Sequence, residues 1–355
     1  MDWHVGTRRA LTLSAAILAE TLIASSSPAQ GCEPIRFNTP VRLGGQGEAY
    51  QRGGEWQLTL GYRRLVSNQF FVGTKENSAA GPGGEAPVFK IHTFVADAAY
   101  AFRDRYRVRL SVPVSIGSET RLWADGVKHT QTATGIGDVS VMGEAWLLEP
   151  RTHQSANVSF GLGVKAPTGS HTVASQLYTA TGATTAYPAT QQIQPGDGGW
   201  AVLLQGQAFQ QLASRVNAYA FGSYMVSPKA QSDVRRGPVT GPFWSVPDVY
   251  SARLGAAFLV LPKYGLTMSL GGRIDGIPVH DLLGGGDDST FKTSAIVAFA
   301  DPGLSITRGR ETLTASVPYR LYVDRQKSVQ EQRTGGLNAG GFAKYLVFLS
   351  YTHRL

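Results

Sequence analysis

The stretch FVADAAYAFRDRYRVRLSVPV, residues 94–114, decides the fold. On both sides of the charged centre at 103–105, apolar side chains recur at every second position, which is typical of a β-hairpin. The opposite face carries Asp97, Arg107 and Arg109. In a soluble sandwich the apolar face would form the core and the arginines would meet water. In a membrane barrel the apolar face would meet lipid and the arginines would line a lumen.

The same alternation recurs along the chain and predicts twelve strands. They begin near Trp56, Phe94, Tyr106, Asp138, Asn157, Trp200, Arg215, Tyr250, Gly265, Phe291, Thr312 and Tyr345. Each strand has about the ten residues that a tilted strand needs to cross a bilayer. An even number of strands is what single-chain bacterial barrels have.

The segments between these strands alternate between long and short. Residues 65–90 and 169–199 are long, whereas 103–105 and 212–214 are short. A barrel with both chain ends in the periplasm gives this alternation, because its outer loops are long and its inner turns are short. A Greek-key sandwich has no reason to produce it. We therefore predict an all-β fold for residues 31–355, a transmembrane antiparallel β-barrel with long extracellular loops and short periplasmic turns.

The composition agrees with this fold class. The 355 residues include 42 glycines, only 16% are charged, and the formal net charge is +8. Low charge and high glycine content are unusual for a soluble enzyme. The charge is spread without a basic tract or an aromatic-interleaved basic patch, so we do not expect nucleic acid as a partner. Outer-membrane lipid and a small-molecule solute are the expected partners.

The first thirty residues, 1–30, have the features of an export signal peptide. Two arginines precede the apolar run at 10–24, and small residues at 27–29 occupy the usual cleavage positions. The alternative is a membrane anchor, but the run is short for a spanning helix and contains Glu20. We expect the mature chain to begin near Gln30 and to reach the bacterial outer membrane.

Three residues do not fit a regular barrel. Pro113 and Pro318 lie inside predicted strands, where proline removes a donor of the hydrogen-bond ladder. A closed barrel has no edge strand to accommodate them, so we predict β-bulges at both positions. Trp146 falls on the inward face by parity, away from the aromatic belts expected at the two membrane surfaces.

Four segments resemble a known family of exported proteins. They are TGIGDVSVMGEAWLL (134–148), VKAPTG (164–169), GDGGW (196–200) and DPGLSITRGRETLTASVPYRLYVDRQKS (301–328). Together they resemble the meta-pathway phenol-degradation family of outer-membrane channel proteins, from about the second strand to the C-terminus. The resemblance implies a barrel for passive uptake of small molecules, often aromatic or apolar. It brings no established catalytic residues to this chain.

Charged side chains on the inward face are the candidate pore-lining residues. By parity they are Arg63, Asp97, Arg107, Arg109, Asp138, Glu144, Lys165, Arg253, Arg273, Asp275 and Arg320. They could form ion pairs that brace the wall, or rings of basic side chains that favour anions. Basic residues outnumber acidic ones, so we predict a weak anion preference.

The long segment 169–199 is either an infolded plug or an exposed loop.

The sequence does not indicate catalysis or a metal site. The seven histidines are scattered, and there is no GxSxG, HExxH or Cys/His cluster. Asp287 and Asp288 in a glycine-rich loop could hold calcium or simply be solvated. Cys32, the single cysteine, is either lipidated or a free thiol. We expect no enzyme and no cofactor. Alternatives to a channel are a structural or surface-interaction barrel, a barrel enzyme, and a soluble periplasmic sandwich.

Overall fold

The twelve predicted segments form antiparallel strands that close on themselves, because the first strand pairs with the last over most of its length. The computed structural model describes residues 50–79, 81–236, 241–284, 290–336 and 338–355. The predicted signal peptide, Cys32 and the Asp287-Asp288 pair lie outside these residues.

The barrel strands have these bounds: β1 Trp56–Val72, β2 Val88–Arg103, β3 Tyr106–Leu122, β4 Lys128–Ile136 and Ser140–Trp146, β5 Ala156–Lys165, β6 Ala201–Ala213, β7 Val216–Val226, β8 Val249–Leu261, β9 Leu266–Ile277, β10 Ala295–Ala300 and Gly303–Arg308, β11 Glu311–Ser316 and Tyr319–Arg325, and β12 Gly340–Arg354. Each strand pairs with its neighbours in chain order, so the barrel is a meander.

The large apolar side chains point outward. Leu60, Leu162 and Leu254 are 64%, 64% and 67% exposed, whereas Thr59, one residue before Leu60, is 2% exposed. In the opening hairpin, the outward Phe94 lies opposite another outward residue of β3. This is the arrangement of a membrane barrel. A soluble sandwich would bury these side chains, so that alternative is excluded.

Strand β4 starts ten residues before the predicted Asp138. Residues 128–136 pair with residues 114–122 of β3, and only residues 123–127 remain as a loop. The predicted long connection after β3 was therefore wrong. Its segment KHTQTATGI is polar on both faces and lacks the alternation on which the prediction depended.

Pro113 carries no bulge of its own. It stays in register with Val95 of β2, and the irregularity lies in the facing strand, where residues 137–139 interrupt β4. The Gly137 amide donates to the Pro113 carbonyl at 2.8 Å. Since Pro113 has no amide hydrogen to donate to β4, the ladder on that side is interrupted in the partner instead.

Pro318 interrupts β11 without a shift in register against β12. Ser316 faces Phe348 and Tyr319 faces Tyr345. The bulge predicted at Pro318 lies instead at Leu321, where the register against β10 changes by one residue. Both Leu321 and the next residue consequently point outward.

Strand β10 also differs from its prediction. Phe291 belongs to a small separate sheet, and the barrel strand begins at Ala295. The expected connection 301–311 is mostly strand, because β10 resumes after Pro302 and continues to a tight turn at 309–310. Outward Leu304 and Ile306 within it carry the alternation that the prediction overlooked.

The long connections, together with the short loop 123–127, lie at one end of the barrel, and the remaining short turns lie at the other. We call these the loop end and the turn end. Outside the barrel wall, the described residues form the short strands Lys75–Glu76, Ala174–Tyr178, Thr184–Pro188, Gln231–Arg235, Phe243–Ser245 and Thr290–Phe291, 3₁₀ turns at Pro82–Gly84, Gln191–Ile193 and Pro262–Tyr264, and the helix α1, Val329–Thr334. Within the described ranges, no helix is both long enough and apolar enough to span a membrane.

Candidate functional site in the barrel interior

The charged residues that parity predicted as pore-lining lie in the barrel interior. Ten of them are buried inside the wall: Arg63, Asp97, Arg107, Arg109, Asp138, Glu144, Lys165, Arg253, Arg273 and Asp275. The eleventh, Arg320, is half-buried near the loop end, where it donates to Gln69 of β1 and lies over the ring of Phe71. That these residues line a path for solutes stays a prediction.

The first charged group joins β3 and β4. Arg107 and Glu144 face each other across the two strands and form an ion pair. Arg109 binds the other oxygen of Glu144 at 3.0 Å and donates to Gln205 of β6 at 2.9 Å. Asp97 accepts a hydrogen bond from Ser111. Two guanidinium groups on one buried carboxylate offset its cost of desolvation.

A second charged group lies across β8 to β11. Arg253 is paired with Asp301, which also accepts from Ser316 at 2.6 Å. Arg273 is paired with Asp275 at 2.8 Å. Sequence reasoning missed Asp301, because it lies at the interruption of β10 that was predicted to be a loop.

A third charged group fixes the long segment after β5. The Lys165 Nζ lies 2.9 Å from Asp138 Oδ2, 2.5 Å from Asp197 Oδ1 and 2.9 Å from the Gly199 carbonyl oxygen. Asp138 also accepts from the backbone amides of Gly169 and Asp197 at 3.0 and 3.1 Å. Asp138 thus binds both ends of this segment beside the interruption of β4. Sequence reasoning missed Asp197, because the segment was read as having little charge.

Residues 189–197 of that segment fold into the barrel, and we call them the infolded segment. Ala189 and Ile193 are fully buried, as are the side chains around them. Ile193 packs so closely on β3 that a Cβ added to Gly117 would lie 2.7 Å from its Cβ. The preceding hairpin, 174–188, is more exposed, and its Gln176 carbonyl accepts from Gln131 of β4 at 2.8 Å. The plug alternative is thus what the structure shows for this part of the segment.

Between the charged groups and the loop end, the interior contains an apolar cluster beside buried polar side chains such as Gln191, Gln192 and Gln194. A continuous cluster joins inward side chains of the wall to the infolded segment: Leu65, Phe70, Phe71, Phe89, Ile91, Ala133, Ala189, Ile193, Ala295, Val297, Phe299, Val323, Phe342, Ala343 and Leu346. We call it the apolar cluster. A general porin has a polar, water-filled interior, whereas the side chains of this cluster are apolar and packed against one another.

Trp146 points inward, as parity indicated, and takes part in an aromatic group at the turn end. Its ring lies 4.9 Å from Tyr50 and 5.9 Å from Phe209, with both pairs edge to face. Tyr50 is held by hydrogen bonds to the His153 carbonyl at 2.6 Å and from Asn157 at 2.9 Å. The chain that leads into β1 therefore packs over this end of the interior.

The described residues offer little for catalysis or metal binding. Over the described ranges, no group of three or more His, Cys, Asp or Glu side chains is placed to hold a metal ion. His353 lies on the outer face near the turn end, where its partner is Glu311. Glu311 also accepts from Tyr351. The described interior is built from packed apolar side chains and ion pairs.

Comparison with known proteins supports the fold. No family model matches the chain, and no curated protein matches it. An outer-membrane channel from Pseudomonas putida F1 superposes with a TM-score of 0.58 at 13% identity, over 90% of this chain and 100% of that one. A Pseudomonas aeruginosa FadL homologue and the Ralstonia pickettii toluene transporter TbuX give TM-scores of 0.41 and 0.40 at 10% and 9% identity; they cover 84% and 86% of this chain and 90% of each of theirs. At such identities only the first match is informative, and it shows that the chain has the fold of an outer-membrane barrel.

Proposed function

We propose that this chain is an outer-membrane channel for passive uptake of small apolar molecules, including aromatic ones. It would be exported by the signal in residues 1–30 and inserted with lipid around its outer face. The observation that carries the proposal is the apolar cluster, which joins inward side chains of the wall to the infolded segment. The sequence resemblance to the meta-pathway phenol-degradation family supports an aromatic solute.

Apolar side chains in the interior favour apolar solutes over polar ones for a simple physical reason. An apolar molecule that leaves water for an apolar surface gains roughly 25 cal/mol for each Å² that it buries. A sugar or an ion would lose hydrogen bonds to water there that the apolar side chains cannot replace. The inward side chains of Phe89, Ile91 and Phe299 therefore favour apolar over polar solutes.

A structural barrel without transport is the second candidate. It is favoured by the filled interior, in which the ion pairs brace the wall and the infolded segment occupies the lumen. Passage through the interior requires the infolded segment to move. Measured uptake separates the two candidates, since a structural barrel would not speed the entry of any solute.

The test is uptake by a Gram-negative host whose lipopolysaccharide slows apolar solutes. Cells that express the protein should take up radiolabelled ethylbenzene faster than cells with an empty vector, while liposomes containing the purified protein should not swell in sucrose. Ile91→Thr places a hydroxyl in the apolar cluster and should slow uptake. Its matched control is Ile116→Thr on the outer face of the neighbouring strand. Equal uptake with and without the protein would favour the structural barrel.

The weak anion preference stays a prediction. Asp197 and Asp301 add acidic side chains to the interior, so the excess of basic charge is smaller than parity indicated. Single-channel recording of the purified protein in asymmetric salt would measure it. A cation-selective current would contradict it.

A further inference from the structure

Glu119 of β3 points into the barrel and is 1% exposed. Neither of its carboxylate oxygens has a hydrogen-bond partner among the described residues. This sets it apart from Glu144, the other inward glutamate of the neighbouring strands, which binds two arginines. A buried carboxylate without hydrogen bonds is costly, and each such group in a native structure calls for an explanation.

The nearest cation does not satisfy this carboxylate. Arg121 Nε lies 3.8 Å from Glu119 Oε1, beyond hydrogen-bond distance. The guanidinium group of Arg121 instead lies over the ring of Trp123, 4.0 Å from its centroid. Arg121 therefore provides nearby positive charge and leaves both oxygens of Glu119 able to accept.

The neighbours of Glu119 do not supply a donor either. On β2 it lies opposite Phe89, a member of the apolar cluster. On β4 it lies opposite Gln131, whose amide donates to the Gln176 carbonyl at 2.8 Å. Two residues earlier on the same face is Gly117, against which the infolded segment packs. The carboxylate thus lies at the border of the apolar cluster, beside the segment that must move for passage.

We propose that Glu119 is a specificity-determining residue that accepts a hydrogen bond from the solute as the solute passes the apolar cluster. This inference rests on the proposed function and narrows its substrate class to small, neutral, mostly apolar molecules that carry one hydroxyl or amine donor. The apolar body contacts Phe89 and its neighbours, while the O–H or N–H group donates to the carboxylate. Hydrocarbons without a donor pass but gain nothing from Glu119.

The test compares two solutes that differ in one group. Benzyl alcohol and ethylbenzene have the same shape, with a hydroxyl in place of a methyl. Uptake of each is measured at low concentration in the same host, for the wild type, Glu119→Leu, Glu119→Gln and Ser115→Ala. Ser115 is a buried polar residue on the same face of β3 and serves as the matched control. Folding of each variant is checked by its mobility on gels before and after heating.

The wild type should take up the alcohol in preference to the hydrocarbon. Glu119→Leu should lower the alcohol-to-hydrocarbon ratio by about tenfold, since a hydrogen bond to a charged group is lost. Ethylbenzene uptake should persist, which shows that the variant is folded and open. Glu119→Gln keeps an acceptor and the same shape, so it should retain an intermediate ratio. Ser115→Ala should keep the wild-type ratio.

A ratio that is the same in the wild type and in both Glu119 variants overturns the inference and leaves the proposed function standing. The same holds if the ratio is unchanged and only the selectivity for inorganic cations is altered, because Glu119 would then serve an ion. If the wild type takes up neither solute faster than the empty vector, the proposed function fails and this inference fails with it.

Discussion

Lys165 is the residue whose removal should most clearly release the infolded segment. Its ammonium group contacts Asp138, Asp197 and the Gly199 carbonyl, at distances from 2.5 to 2.9 Å. Lys165 and both carboxylates are at most 8% exposed. Lys165→Met keeps the length of the side chain and removes its charge. Two buried carboxylates then lie close together without their cation.

The size of the expected shift toward the released state follows from the burial of these three groups. Removing one partner of a buried ion pair costs about 3–5 kcal/mol, because the remaining charge stays out of water. The chain can avoid this cost by moving Asp197, and the infolded segment with it, toward solvent. At about 1.4 kcal/mol for each factor of ten, a cost of about 3–5 kcal/mol should shift the equilibrium roughly 10² to 4 × 10³-fold toward the released state.

The assay is hydrogen exchange of residues 189–197, measured by mass spectrometry on the protein in nanodiscs, together with single-channel conductance. Lys165→Met should speed exchange in this segment and raise the conductance. Lys128→Met is the control, since Lys128 pairs with Glu85 at an exposed site where such pairs contribute about 0–1 kcal/mol. Unchanged exchange in Lys165→Met would refute the reasoning that this ion group holds the segment in place.

Three further predictions concern the packing, the lipid face and pH. Gly117→Ala should also speed exchange in the infolded segment, because its Cβ would overlap Ile193, whereas Gly206→Ala has open space and should not. Leu162→Arg on the outer face should lower the free energy of unfolding in lipid by about 2–4 kcal/mol if the residue lies at the bilayer midplane. Denaturant titration in liposomes measures this free energy, and an unchanged value would place Leu162 outside the membrane. The hydrogen bond from the Gly53 amide, followed by that from Arg151, lowers the pKa of Asp104 below its usual 3.8. Asp104 therefore contributes stability above the unfolded-state pKa and loses it as the pH falls through the lower folded-state value; exchange at Gly53 should rise in that acidic range in the wild type, and a similar rise in Asp104→Asn would contradict this assignment.

The period-two pattern predicted most of the barrel wall. Alternation alone predicted which side chains of β3 point inward and which point outward. Because the side-chain period of a strand is two, a shift of one residue would exchange the two faces. The same pattern placed Arg107, Arg109 and Glu144 inside. It failed in β4, where polar residues occupy both faces and no alternation exists to detect.

The ion partners from loops and strand interruptions could not be predicted in this way. Asp197 pairs with Lys165 only because the segment after β5 folds inward, and parity says nothing about a segment that is not a strand. Asp301, the partner of Arg253, could have been placed inside the barrel only if β10 had been predicted to continue past Pro302. The sequence did not single out Glu119, because it lies in the loop-end part of β3, beyond the stretch 94–114 on which the strand prediction was based.

The central claim is that apolar solutes pass through the barrel interior when the infolded segment moves. A reversible disulfide between Gly135→Cys on β4 and Pro195→Cys in the segment tests it most directly, in a background with Cys32→Ser. A Cβ at position 135 would lie 3.4 Å from Pro195 Cγ, so the two positions are in contact. Uptake of ethylbenzene should fall to the empty-vector rate when the pair is oxidised and recover on reduction. Equal uptake in the oxidised and reduced states would contradict the claim.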